Sequence, residues 1–157
     1  MRKINTNDLV EETWSSPKGK FVGAGKEISE ALGRKPQSTD LNERHPFDVE
    51  ILRIPPGKIP YPYHSHSAQW EFYHLISAGA SLGIRMGRLP SKPAMGLSSG
   101  RENLTNSLMT VRRDLILYVV ADNPIGESTS YPDSKKWGRA LTRTTTHPFR
   151  TAGRLRW

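Results

Sequence analysis

The chain contains no cysteine. That excludes a disulfide framework, thiolate metal ligands and a cysteine nucleophile. No apolar run approaches the ~20 residues of a membrane-crossing helix, and Met1-Arg2-Lys3-Ile4-Asn5 does not lead into the apolar core of a secretory signal. A membrane is therefore not an expected partner, and a soluble, cytoplasmic protein is the expectation. Acidic residues run out in two places. Residues 78–113 hold one against six basic residues, and residues 138–157 hold none against five. A phosphate-binding glycine loop, a Ser/His/Asp triad and a pair of carboxylates spaced for acid–base work are also lacking.

What is present is a chain of 157 residues with a net charge of +8. This length makes one domain that buries roughly two-thirds of its unfolded surface, so a core without covalent staples is attainable. The charge is unevenly placed. Residues 1–77 carry ten basic and ten acidic residues, and residues 114–137 carry two and four. All of the excess therefore lies in the two blocks that are poor in acids.

Residues 1–44 mix Gly, Lys, Ser and Pro around one apolar stretch, Ile28–Gly33, which reads equally as a helical turn or a short edge strand. Phe47-Asp48-Val49-Glu50-Ile51 alternates apolar and acidic residues with period two, which predicts a strand running to Ile54. With the apolar set facing the core, Asp48 and Glu50 are expected to face solvent. Pro55-Pro56-Gly57 closes that strand in a turn. Gln69–Ile76 predicts a second strand and Leu115–Ala121 a third, ended by Asp122-Asn123-Pro124, where Asp122 reads as turn chemistry. Asp133-Ser134 reads as the cap of a further turn. Strands separated by turns, with little helical periodicity, give an all-β barrel or sandwich. Residues 78–113 show no sustained period and are expected to pack poorly, and residues 138–157 read as a basic tail.

Three of the five histidines fall close together, at His64, His66 and His74, with Glu71 among them. Residues two apart on a strand share a face, so His64 and His66 can point at one ion. A carboxylate from the adjoining strand completes a two-histidine, one-carboxylate set suited to Fe(II), Mn(II), Ni(II) or Zn(II), with positions left open. His74 is three residues past Glu71 and points to the opposite face on a regular strand, so it reads as a packed or surface histidine. Tyr61, Tyr63, Trp70 and Tyr73 are candidates to line the site, with core packing the expected role.

The stretch Pro56–Tyr73, with its glycine, then His64-Ser65-His66, then Glu71, resembles the first motif of the cupin superfamily. Leu115–Glu127 and Tyr131–Trp137 are similar to the later part of small single-domain bacterial cupins. The likeness covers residues 45–77 and 114–137. It implies a cupin-like double-stranded β-helix, a jelly-roll barrel, over residues 45–137 with 78–113 atypical, preceded by an N-terminal arm with an edge strand (1–44). It also implies a homodimer, a small-molecule ligand and a divalent metal ion held by His64, His66 and Glu71. The second cupin motif brings a fourth ligand, a histidine, yet no histidine lies between His74 and His147.

Codon arithmetic supplies an explanation. Joining the third base of each codon to the first two of the next, Glu102–Ser107 permits Glu-Pro-His-Gln-Leu. Leu108–Arg112 permits Asn, Gly and Glu and forces Asp across Met109-Thr110. The result is close to the absent second motif. Residues 78–113 and 138–157 are thus expected to be translated out of frame, which also accounts for their arginine and their want of acids.

Three readings follow. A metal-binding cupin acts on or binds a small oxygenated, sugar-like molecule. A non-catalytic barrel binds such a ligand with metal held weakly or not at all. A basic protein contacts nucleic acid through Arg101, Arg112, Arg113 and the tail, although it has no nucleic-acid motif and no aromatics interleaved with the charge.

Overall fold

Residues Phe47–Ile54 form a strand at the centre of the largest sheet, but its faces are the reverse of those expected. In this computed structural model, which describes residues 1–36, 38, 40–77, 80–84, 87–90, 96–99, 104–105, 108–110 and 113–140, the buried parity is Asp48, Glu50, Leu52 and Ile54. Phe47 is 51% exposed while Asp48 and Glu50 are each 3% exposed. The period was legible and the phase was not. Leu52 and Ile54 share parity with the two acids, and their burial carries the acids inward. The Asp48 carboxylate is met by the equally buried Arg34 guanidinium at 3.1 Å.

The element order is β1 (Glu12–Ser15), β2 (Val22–Glu27), α1 (Ile28–Ala31), α2 (Leu41–Arg44), β3 (Phe47–Ile54), β4 (His64–His66), β5 (Glu71–Leu75), β6 (Ala80–Ile84), β7 (Gly87–Pro90), β8 (Gly96–Ser99), β9 (Leu104–Thr105), β10 (Leu108–Thr110), β11 (Leu115–Asp122), β12 (Glu127–Tyr131) and β13 (Lys136–Ala140). Among the described residues one 3-10 turn occurs, at Pro132–Ser134. Ile28–Gly33 therefore begins as a helical turn, with β2 running straight into it. Strands β5 and β11 lie within a residue or two of the stretches expected for them.

Among the described residues these strands form three sheets, ordered β1-β2-β3-β11-β5-β8, β13-β12-β4-β9 and β10-β6-β7. All strand pairs are antiparallel. Five short strands, β6 to β10, fall within residues 78–113, although that block shows no strand period of its own. Backbone ladders need no side-chain period once neighbouring strands offer their edges. The out-of-frame reading rests mainly on residues outside those described, among them Asn103, Asn106 and positions 141–157. His147 lies outside them too.

The registers arrange the inward residues of the large sheet in rows. Leu52, Leu117 and Leu75 form one row, and Glu27, Glu50, Val119 and Tyr73 form the next. Asp48, Ala121 and Glu71 form a third. Along the strands the interior thus passes from apolar to acidic within two rows. The apolar end, with Trp14, Ile54 and Leu115, is the core, and Val119 of the second row packs with it. Strand β1 is docked there by Trp14, which lies opposite Gly23 and stacks on Tyr61 with ring centres 5.7 Å apart. Its Nε1 donates to the Pro60 carbonyl at 3.2 Å.

Candidate metal centre

Strand β4 is three residues long and lies between β12 and β9. His64 and His66 extend to one face of it, and Ser65 to the other, as the period of a strand requires. Glu71 opens β5 and faces inward. One nitrogen from each histidine and one oxygen of Glu71 all lie within 4.8 Å of one another. Among the described residues no fourth ligand-type side chain completes this group. His74 faces away on β5, half-buried on the outer side, as its spacing from Glu71 demands.

Each ligand-type group is held by a second partner. His64 Nδ1 is 2.7 Å from the Pro62 carbonyl, which can only accept, so Nδ1 carries the proton and Nε2 is left with its lone pair. His66 Nδ1 is 3.1 Å from Glu127 Oε1 and donates to it. Tyr73 Oη donates to Glu71 Oε2 at 2.5 Å. These contacts fix tautomer and orientation, the part that outer partners play around metal ligands.

Glu127 was not singled out from the sequence. It opens β12, is buried, and also accepts the backbone N–H groups of Ser67, Ala68 and Gln69. Burial alone would push its carboxyl up. The hydrogen bond from His66 and those from the Ser67 and Ala68 amides outweigh that and hold it below the usual carboxylate range. No short-range signal marks it, since 61 residues separate it from His66.

His66 Nε2 is buried and makes no hydrogen bond. It faces Glu71 Oε1 at 3.6 Å. With the proton on Nδ1 this is an acceptor opposed to an acceptor, which a cation between them relieves. Two imidazoles and a carboxylate are a donor set for a borderline divalent ion, so the residues fit the group that the spacing implies. Aromatic rings close the surroundings. Tyr61 stands edge-on to His64 at 6.4 Å, and Tyr131 is tilted against it at 5.8 Å. Burial pushes the phenols of both tyrosines up. Of the other aromatics, Tyr73 packs against the core and Trp70 is half exposed.

No family model matches the sequence, and no curated protein matches it. Among solved structures, a sugar phosphate isomerase from a cupin superfamily, from Silicibacter pomeroyi, aligns over 96% of this chain and 98% of its own. The TM-score is 0.69 at 16% identity. A protein proposed to be a sugar phosphate isomerase from Acidithiobacillus ferrooxidans aligns over 90% and 92%, also with a TM-score of 0.69 at 16% identity. A predicted oxalate decarboxylase from Thermotoga maritima aligns over 77% and 98%, with a TM-score of 0.60 at 14% identity. Taken with the antiparallel all-β architecture, these alignments show that the chain has the cupin fold.

Proposed function

We propose that this chain is a metal-binding cupin that takes a small oxygenated, sugar-like molecule. Nε2 of His64, Nε2 of His66 and the carboxylate of Glu71 would hold a divalent ion, Zn(II), Mn(II), Fe(II) or Ni(II). The observation that carries the reading is the buried His66 Nε2 without a hydrogen bond, facing Glu71 while Nδ1 is held by Glu127. When bound, such an ion supplies Lewis-acid polarisation and a template for an oxygenated ligand. The chain's own residues keep both imidazoles in the ligating tautomer, and Tyr73 engages one oxygen of Glu71 while the other faces His66. Preference for a sugar-like ligand is analogy with two neighbours described as sugar phosphate isomerases, and fold alone does not fix a reaction. The same reading includes a homodimer working in the cytoplasm, with no role for nucleic acid.

Metal content after purification without chelator tests it. Stoichiometric metal is expected in the wild type and in His74→Ala, and none in His64→Ala. Unchanged metal in His64→Ala would overturn the ligand assignment.

A further inference from the structure

At the end of the large sheet opposite the core, where Asp122 pairs with Phe47, lies a cleft of about 320 Å³. None of its lining residues belongs to the metal centre. Leu41, Pro46, Pro124 and Ile125 make its apolar walls, and Arg44, His45, Asp122 and Asn123 supply its polar groups. The end of α2 with the turn into β3 forms one side, and the turn after β11 forms the other. The two are stitched together. The Asn123 backbone N–H donates to the Pro46 carbonyl at 3.0 Å, and Asn123 Nδ2 donates to the His45 carbonyl at 3.1 Å. His45 is held at φ 58° and ψ 146°, backbone that glycine adopts and other residues rarely do. Strain of this kind persists where surrounding contacts fix the chain, and it gathers at ligand clamps.

Three polar groups of the cleft have bonding capacity left over. Arg44 is 3% exposed, and its Nη2 donates to the Asn123 and Pro124 carbonyls at 2.8 and 2.9 Å. Its Nε and Nη1 have no acceptor among the described residues, and no carboxylate among them pairs with the guanidinium. A buried cation without an opposite charge is costly, and an anion relieves it. Asp122 Oδ1 accepts the Trp70 backbone N–H at 2.7 Å, which leaves Oδ2 without a donor among the described residues. Asn123 Nδ2 is spent on the Arg44 and His45 carbonyls, so Oδ1 is the remaining end of that amide. It is buried and accepts nothing.

One ligand chemistry answers all three. A bare anion on Arg44 would also meet the charge of Asp122, and a bare cation on Asp122 would meet Arg44. A zwitterion suits both, with its carboxylate on Arg44 and its ammonium group on Asp122 Oδ2 and Asn123 Oδ1, in charge-assisted hydrogen bonds. We propose that this cleft is a second binding site, for a free α-amino acid whose apolar side chain lies along Leu41 and Ile125. These two are 61% and 75% exposed, apolar surface that such a ligand covers. The inference does not depend on the metal centre.

The test is calorimetric titration of the full chain with L-leucine, with L-leucinamide, which lacks the carboxylate, and with isocaproate, which lacks the ammonium group. The wild type is expected to bind one leucine per chain and to bind each analogue at least about tenfold more weakly, as loss of one charged hydrogen-bonding group costs. Asp122→Asn is expected to weaken leucine about tenfold and to bind isocaproate no more weakly than the wild type does. Unchanged leucine affinity in that variant, or leucine and isocaproate weakening together, overturns the inference. So does a wild type that binds no leucine, or one that binds all three compounds alike. Should Asp122→Asn not fold, Ile125→Ser on the exposed wall replaces it, with a severalfold loss of leucine affinity expected. Unchanged leucine affinity in that variant overturns the inference.

Discussion

Glu127 gathers four donors onto one buried carboxylate: His66 Nδ1 and the amides of Ser67, Ala68 and Gln69. Glu127→Gln keeps the shape but turns one oxygen into an amide donor facing other donors. It is expected to weaken metal affinity by about 10–100-fold, as loss of an outer partner typically does. Competition with a fluorescent chelator reads that change, and equal affinity would remove Glu127 from the support of the site. At this scale the nearness of His64, His66 and Glu71 was legible in the sequence, because strand period and short separation are local facts. It did not show Glu127, whose place depends on the pairing of Thr129 with His66. Nor did it show that Asp48 and Glu50 face inward, since alternation fixes a period and leaves the choice of face to the residues that follow.

Strand β1 shows how a short element is held by one side chain. Of its four residues only Trp14 is buried, and the chain passes Gly23 so closely that a Cβ there would lie 2.3 Å from the indole. Gly23→Ala is expected to displace the ring and destabilise the protein by about 1–3 kcal/mol, the usual range for an overpacked core position. A urea midpoint equal to that of the wild type would mean that the indole shifts without loss. β3 and β11 were legible as elements, since both are long and flanked by turn residues. The strands between residues 80 and 110 were not, because short pieces take their pairing from neighbouring edges rather than from their own pattern.

For the molecule as a whole, the outer face of the large sheet carries Phe47, Phe72 and Ile76 at about half exposure, beside Val49, Ile51, Tyr118 and Val120. We assign this face to the proposed homodimer. Light scattering is expected to give twice the chain mass for the wild type and a folded monomer for Phe72→Lys, whereas a monomeric wild type would end the assignment. The out-of-frame reading also belongs to this scale. Resequencing the coding DNA from Ser77 to Asp114 and from Trp137 onward is expected to show one base missing near Ser77 and restored before Asp114. An unaltered sequence would leave a three-ligand centre and two basic blocks in need of a purpose.

The contact of Trp14 with Tyr61, and of Tyr61 with His64, has an optical consequence. Trp14 is 5% exposed, while Trp70 and Trp137 are 50% and 65% exposed, so a collisional quencher in solution silences those two and spares the blue emission of the buried indole. In a Trp157→Phe background, what remains comes from a fluorophore one ring removed from the histidine pair. Paramagnetic Mn(II) or Ni(II) bound at the proposed site would darken it, and diamagnetic Zn(II) would leave it bright, so the fold would carry its own lamp for telling such ions apart.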